Sequence, residues 1–407
     1  MKKTALRKYA NLIAKVGANV QKGQEVIVRA NLENPDFVTM VVEECYKLGA
    51  KEVTVDWRHT PISKLHYAKR SLETLSEIKD WEIERLKYRE KVLPVLISLA
   101  GDDPDGMKGV DQEKVSKSSI AVMKVTKPYS DRMSDRYQWV IAAVPTKKWA
   151  KKIFPNLRPS VAVEKLWEAI LFTARVNEDP IQAWNDHNKD LLDRCNYLNG
   201  LGLKQLTYRA SNGTNLTVGL IDDGLFLGGG ENTLSGTYFN PNIPTEEVFT
   251  SPMQGVAEGI VYSSKPLSWR GELIDNFWVR FENGVVVETG AEKNAHLLEK
   301  LVSMDEGARK LGECALVPFE SPINKTGILF YNTLFDENCC CHFALGRGFN
   351  NTLKNFENLS FAECKAKGIN DSSIHVDFMI GTADLEIDGV TKDGKTIAIF
   401  RKGNWAF

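Results

Sequence analysis

The sequence predicts two domains of different class. Residues 1–195 read as an α/β N-terminal domain built from parallel βαβ units, and residues 196–407 as an α+β, largely antiparallel C-terminal domain. Three observations lead there. A chain of 407 residues exceeds what one hydrophobic core usually serves. In its first half, short apolar runs alternate with segments of helical periodicity. Near Leu198-Asn199-Gly200 the texture changes to short strands punctuated by Gly and Asn.

The elements follow in order. Leu6, Tyr9, Leu12, Ile13 and Val16 repeat as one face of an amphipathic helix. Gly17 and Gly23 punctuate, and 24–30 reads as a strand. Pro35 opens a helix to residue 48 with Phe37, Val41, Val42 and Cys45 inward, and Gly49 stands where glycine ends helices. A second strand covers 52–56, so the strand–helix–strand rhythm implies parallel pairing. Residues 65–90 read as mostly helical. The apolar run 92–100 suits a strand buried on both faces. Residues 101–106 form a turn without the ligand spacing of a calcium loop. A further strand is expected over 137–144, and helices over 146–153, 161–173 and 180–196. No Gly-x-Gly-x-x-Gly follows the first strand, which excludes the usual dinucleotide chemistry despite the topology.

In the second half, strands are expected over 205–210, 215–220, 224–228, 255–262, 276–282 and 285–289, with helices over 294–302 and 305–311. Gly228-Gly229-Gly230 lacks the Lys-Ser/Thr of a P-loop and reads as a turn.

Composition narrows the function. Hydrophobic residues make up 43%, charged residues 26%, and the formal net charge is −1. This balance favours neither nucleic acid nor an anionic membrane as partner. No run of about 18 apolar residues occurs, and the basic start lacks a signal-peptide core, so a cytoplasmic location is expected. Seven cysteines without a CxxC argue against a disulfide framework and a structural zinc site. Cys339-Cys340-Cys341 reads as buried, reduced side chains rather than as ligands or a nucleophile.

The candidate chemistry lies mostly between Glu313 and Asp377. His375-Val376-Asp377 sits in an alternating segment, so on a strand His375 and Asp377 share one face. Two polar groups projecting together suit a metal, and equally a strand edge facing water. Glu337 and His342 lie five apart, off any single helix face, and Asp336 could cap the segment. Glu313 reads as the end of a helical stretch over 304–313, from which it could point inward or into solvent. Glu246 and Glu247 are sent to opposite faces of an extended chain, so at most one of them joins the others. Together these residues offer nitrogen and oxygen ligands suited to Zn, Co, Mn or Mg. No His-Glu-x-x-His occurs, which excludes a common one-metal zincin.

Four segments then acquire a further meaning: Asn242-Ile-Pro-Thr-Glu-Glu-Val-Phe-Thr, Asp305-Glu-Gly-Ala-Arg-Lys-Leu-Gly-Glu, Thr333-Leu-Phe-Asp-Glu-Asn and His375-Val-Asp-Phe-Met-Ile-Gly. In order and spacing they resemble the M29 family of metallo-aminopeptidases. Gly23-Gln-Glu-Val, Leu166-Trp-Glu-Ala-Ile and Asp179-Pro-Ile-Gln-Ala-Trp extend the resemblance over nearly the whole chain. The resemblance implies that Glu247, Glu313, Glu337, His342, His375 and Asp377 hold two divalent metal ions, with Glu247 chosen over Glu246. It implies a homodimer whose second domain is the metal-binding, catalytic one. It also implies an exopeptidase that removes N-terminal residues from short peptides through a metal-bridged hydroxide. Glu313 or Glu337 is the expected proton shuttle. One position departs from the family pattern: Phe349 stands where the family usually has Tyr. The same ligand types also fit a dinuclear phosphoesterase, although the Glu-rich set argues against it. The loss of the phenol at Phe349 would fit a weakened or degenerate peptide-binding homologue.

Overall fold

The structure, a computed structural model, describes residues 2–269 and 271–407. The chain divides into two compact units, Met1–Asn185 with Gly230–Pro244, and Asp186–Gly229 with Thr245–Phe407. Residue 195, the boundary expected from the sequence, lies inside the helix Pro180–Gly200. The return of 230–244 to the first unit has a backbone cause. Its strand Asn242–Ile243 adds in parallel to the edge of the first sheet.

The first unit alternates as expected. α1 (Lys3–Leu12), β1 (Glu25–Asn31), α2 (Pro35–Lys47), β2 (Glu52–Arg58), α3 (Asp80–Val92), β3 (Val95–Ala100), α4 (Gln112–Met133) and β4 (Trp139–Ala143) follow one another. The five-stranded sheet runs Asn242–Ile243, β4, β3, β1, β2, and every pairing is parallel. Strand β1 sends Val26, Val28 and Ala30 to one face, all buried. Nearby, Phe37 of α2 stacks on Tyr9 of α1 at 5.6 Å and lies 5.2 Å from Trp167. The helical stretch expected over 65–90 is broken into three, Thr60–Lys69, Leu72–Ser76 and Asp80–Val92, the second capped by Ser71 accepting from Thr74 N. The 22-residue α4 was not legible. It buries only Ser118 and Met133, so it carries no apolar stripe, and it is started by Asp111 accepting from Glu113 N and Lys114 N.

The second unit pairs a nine-stranded antiparallel sheet with a five-stranded one. The smaller sheet is ordered β8 (His375–Met379), β7 (His342–Gly346), β6 (Leu311–Leu316), β5 (Val248–Thr250) and the short strand Leu227–Gly228. The sheets meet through aromatic side chains. Phe343 of β7 lies 4.9 Å from Tyr208, and Phe378 of β8 lies 5.8 Å from Phe277. The helix expected over 305–311 does not form. Only the single turn Gly307–Arg309 is helical, and Glu313 lies within strand β6 rather than at a helix end. Asp305 is the reason. Its carboxylate accepts from Ala308 N and Ser373 N and from the Ser372 and Ser373 hydroxyls, closing a turn. Gly307 presses so close to Asp371 O that a Cβ there would lie 1.9 Å from it. No described helix is long and apolar enough to cross a membrane.

Candidate metal centre

The smaller sheet separates two kinds of residue by the simple alternation of strands. Cys314 and Leu316, Phe343 and Leu345, and Phe378 point to the core face and are buried. The opposite face carries Glu313 on β6, His342 and Ala344 on β7, and His375 and Asp377 on β8. Glu313 is in register with Ala344, and Ala344 with Asp377. The middle strand therefore contributes a methyl group between two carboxylates, and Gly346 opposite His375 contributes no side chain. Small residues on the central strand leave room above the sheet for the groups on either side to converge.

They do converge. Glu313 Oε2 lies 3.1 Å from His375 Nε2, which lies 3.1 Å from Asp377 Oδ1. Glu247, immediately before β5, places Oε2 3.3 Å from His342 Nε2. Ligand atoms of Glu247, Glu313 and His342 all lie within 4.8 Å of one another, and so do those of Glu313, His375 and Asp377. Glu313 belongs to both groups. Glu337 belongs to neither, but its carboxyl faces Asp377, Glu247 and Glu313. Of the six residues singled out in the sequence, the fold thus gathers five into two triads that share one carboxylate, with the sixth beside them.

The neighbours orient the imidazoles. His375 Nδ1 sits 2.6 Å from Arg347 O, and His342 Nδ1 sits 3.4 Å from Cys340 O. Each ring turns Nδ1 to a carbonyl and Nε2 to the carboxylates, the arrangement that prepares a metal-ligating histidine. The segment before His342 differs from expectation. Asp336 does not cap its helix: it accepts from Phe330 N and Asn332 N, upstream of the helix that Asn332 caps.

Burial and crowding set the protonation. Burial raises the Glu313 carboxyl above the usual carboxylate range, against the opposing pull of His375. Burial, then the charges of Asp377, Glu247 and Glu313, raise Glu337 well above it. Burial alone would lower His342, but Glu247, Glu313 and Asp377 carry it up to about 9. His375 is raised well above its ordinary value, again against burial, by Asp377 and Glu313. Asp377 is lowered, because His375 outweighs the effect of burial.

Whether the residues suit a metal is tested by one atom. Asp377 Oδ1 is buried and, although His375 Nε2 lies 3.1 Å away, no donor is aligned to hydrogen-bond it. A buried carboxylate oxygen left without a donor is costly. Four carboxylates and two imidazoles around it form the donor set of a divalent cation site. The residues fit.

Sequence reasoning passed over Asn338. Fully buried, it accepts from Glu246 N at 2.8 Å and donates to Glu337 Oε1 at 3.3 Å and Leu334 O at 3.2 Å. It ties the backbone that carries Glu247 to the carboxyl of Glu337. Its position inside Thr333-Leu-Phe-Asp-Glu-Asn was the available signal, but only tertiary contact reveals the role.

The family model of the thermophilic metalloproteases (M29) matches residues 2–405. The chain belongs to this family. It is similar to aminopeptidase 2 of Geobacillus stearothermophilus, 43% identical over 99% of this chain and 98% of that one. It is 38% identical to aminopeptidase T of Thermus aquaticus, over 98% of each. The solved structure of wild-type AmpT from Thermus thermophilus superposes with a TM-score of 0.92 at 37% identity, covering 100% of both chains. This M29 chain is a metallo-exopeptidase by class, a class whose members use divalent metal.

Proposed function

We propose that this M29 chain is a two-metal aminopeptidase acting on short peptides, with Glu247, Glu313, Glu337, His342, His375 and Asp377 as its metal-binding set. The observation that carries the reading is Glu313, whose carboxylate is common to both triads. Glu247, Glu313 and His342 would hold one ion, and Glu313, His375 and Asp377 the other. When bound, divalent ions in such a pair supply Lewis acidity, polarising a carbonyl and lowering the pKa of a water.

The protein's own groups do the rest. Glu337 stands outside both triads, and burial among Asp377, Glu247 and Glu313 raises its affinity for a proton, so that in its ionised form it would be a competent base. It is the better placed of the two expected shuttles to take a proton from the attacking water and hand it to the leaving amine. Asn338 holds that carboxyl through its amide. A cavity of about 50 Å³, lined by Tyr331, Thr333, Glu337 and Asp377 among others, adjoins the cluster and would take the N-terminal end of a peptide. There the free α-amine would pair with a carboxylate, which restricts cleavage to chain ends. A homodimer in the cytoplasm completes the reading.

The test compares leucine p-nitroanilide with its N-acetyl form before and after exhaustive chelation. The reading expects hydrolysis of the free-amine substrate alone, loss on chelation, and recovery on adding Zn or Co. Unchanged turnover after chelation would sink it.

A further inference from the structure

The two faces of the parallel sheet in the first unit are covered differently. One face is packed by α1 and α2 through buried apolar side chains. Helix α3, on the other face, buries none of its residues. Polar bridges tie it to the sheet: Tyr88 donates to Glu25, and Arg85 donates to Asp56 at 2.6 Å. Arg132 of α4 in turn pairs with Glu90 of α3. A helix held off a sheet by such struts leaves space beneath it. The space is a cavity of about 200 Å³ between β1, β2, α3 and α4.

Its lining is cationic. Arg29, Arg85 and Arg89 face it, against Asp56 and Glu82. Asp56 is engaged by Arg85, and Glu82 accepts from Lys79 N at the start of α3. Arg29 and Arg89 are left over. Arg89 Nε is buried with no hydrogen-bond partner. Arg29 is lowered by desolvation and then by the like charges of Arg89 and Arg58, which outweigh Asp56. Three guanidiniums thus face two carboxylates, and among the described residues neither Arg29 nor Arg89 forms a salt bridge. Their planar forks match an oxyanion. The remaining wall is apolar, with Trp81, Leu86 and Val122.

We propose that this cavity binds a small oxyanion carried on an apolar body, a carboxylate or a phosphate monoester, through Arg29 and Arg89. The site lies in the first unit, is separate from the metal-binding residues, and does not depend on the proposed peptidase mechanism. At this volume it admits one small ligand and no dinucleotide, consistent with the missing glycine fingerprint.

Isothermal titration of the full chain with phenyl phosphate and with benzoate tests the proposal, with phenol as the uncharged control. One site per chain is expected for at least one anion, weakened by added salt, with none for phenol. The stronger of the two tells which anion the site prefers. Arg89→Gln removes a charge-assisted partner and should weaken binding about tenfold or more. Should that variant fold poorly by circular dichroism, Val122→Trp keeps every charge, fills the cavity, and should abolish binding. No saturable heat with either anion up to about 10 mM, or binding unaltered by Arg89→Gln and by Val122→Trp, would overturn the proposal.

Discussion

Glu313 and Asp377 lie in register on either side of Ala344, one on each neighbour of the strand that carries it. This row gathers carboxylates from sequence positions 64 residues apart (377 − 313), and its middle member is the smallest chiral side chain available. The convergence of the site therefore depends on a residue with no chemistry of its own.

Ala344→Leu should accordingly be more damaging than its conservative character suggests. Overfilling a close-packed position costs about 1–3 kcal/mol, and here the added atoms occupy the face shared by Glu313 and Asp377. The expected result is a lowered thermal midpoint with retained far-UV circular dichroism, and loss of metal uptake by mass spectrometry. Retained metal at wild-type affinity would contradict the packing argument.

Asn338 is expected to act on position rather than on chemistry. Asn338→Ala leaves Glu246 N without its acceptor and Glu337 without its amide neighbour. A buried unsatisfied group costs about 1–3 kcal/mol, readable as a shift in the urea midpoint. Because Glu337 loses its support, kcat should fall more than KM rises. Stability loss with unchanged kcat would reduce Asn338 to a structural role.

Phe349 lies beside the site, its ring 4.8 Å from that of His375 and 5.6 Å from that of Phe249. A hydroxyl introduced by Phe349→Tyr enters next to a proposed ligand, where one added donor to a developing oxyanion is worth on the order of 100-fold in turnover. A rise in kcat on leucine p-nitroanilide is expected. An unchanged or lower kcat would show that this position does not reach the reacting group.

In the metal-free protein, stability should depend on pH in a fixed direction. The folded-state value of His342 is raised from the ordinary 6.5 to about 9, so folding binds a proton across that interval. The contribution is full below about 6.5 and is lost as pH rises through about 9. Glu313 and Glu337, also raised, act with the same sign. Urea denaturation of the chelated protein between those values should show falling stability, reversed by added metal. A rise over the same range would mean that the carboxylates do not crowd His342 as they do here.

Much of the fold could be read in advance. The strands β1 to β4 and β8 announce themselves by apolar runs or alternation, and His375 and Asp377 share a face as strand geometry requires. The failures have physical causes. Met304 to Glu313 has helical periodicity, but Asp305 spends its carboxylate on Ser372 and Ser373, and long-range bonds of that kind leave no local trace. Helix α4 buries only Ser118 and Met133, so no buried apolar stripe marks it in the sequence. At the site, alternation alone could not choose between Glu246 and Glu247; resemblance chose Glu247, and it is Glu247 that lies against His342. Asn338 was invisible because the backbone it ties to Glu337, at Glu246, lies 92 residues away in the chain.

The central claim is that Glu313 serves two metal ions at once. Plasma mass spectrometry of gel-filtered protein, loaded with zinc and freed of excess, measures it directly. The account predicts about two equivalents per chain for wild type and loss of both from Glu313→Ala. A single equivalent in wild type, or a full complement in Glu313→Ala, would contradict it.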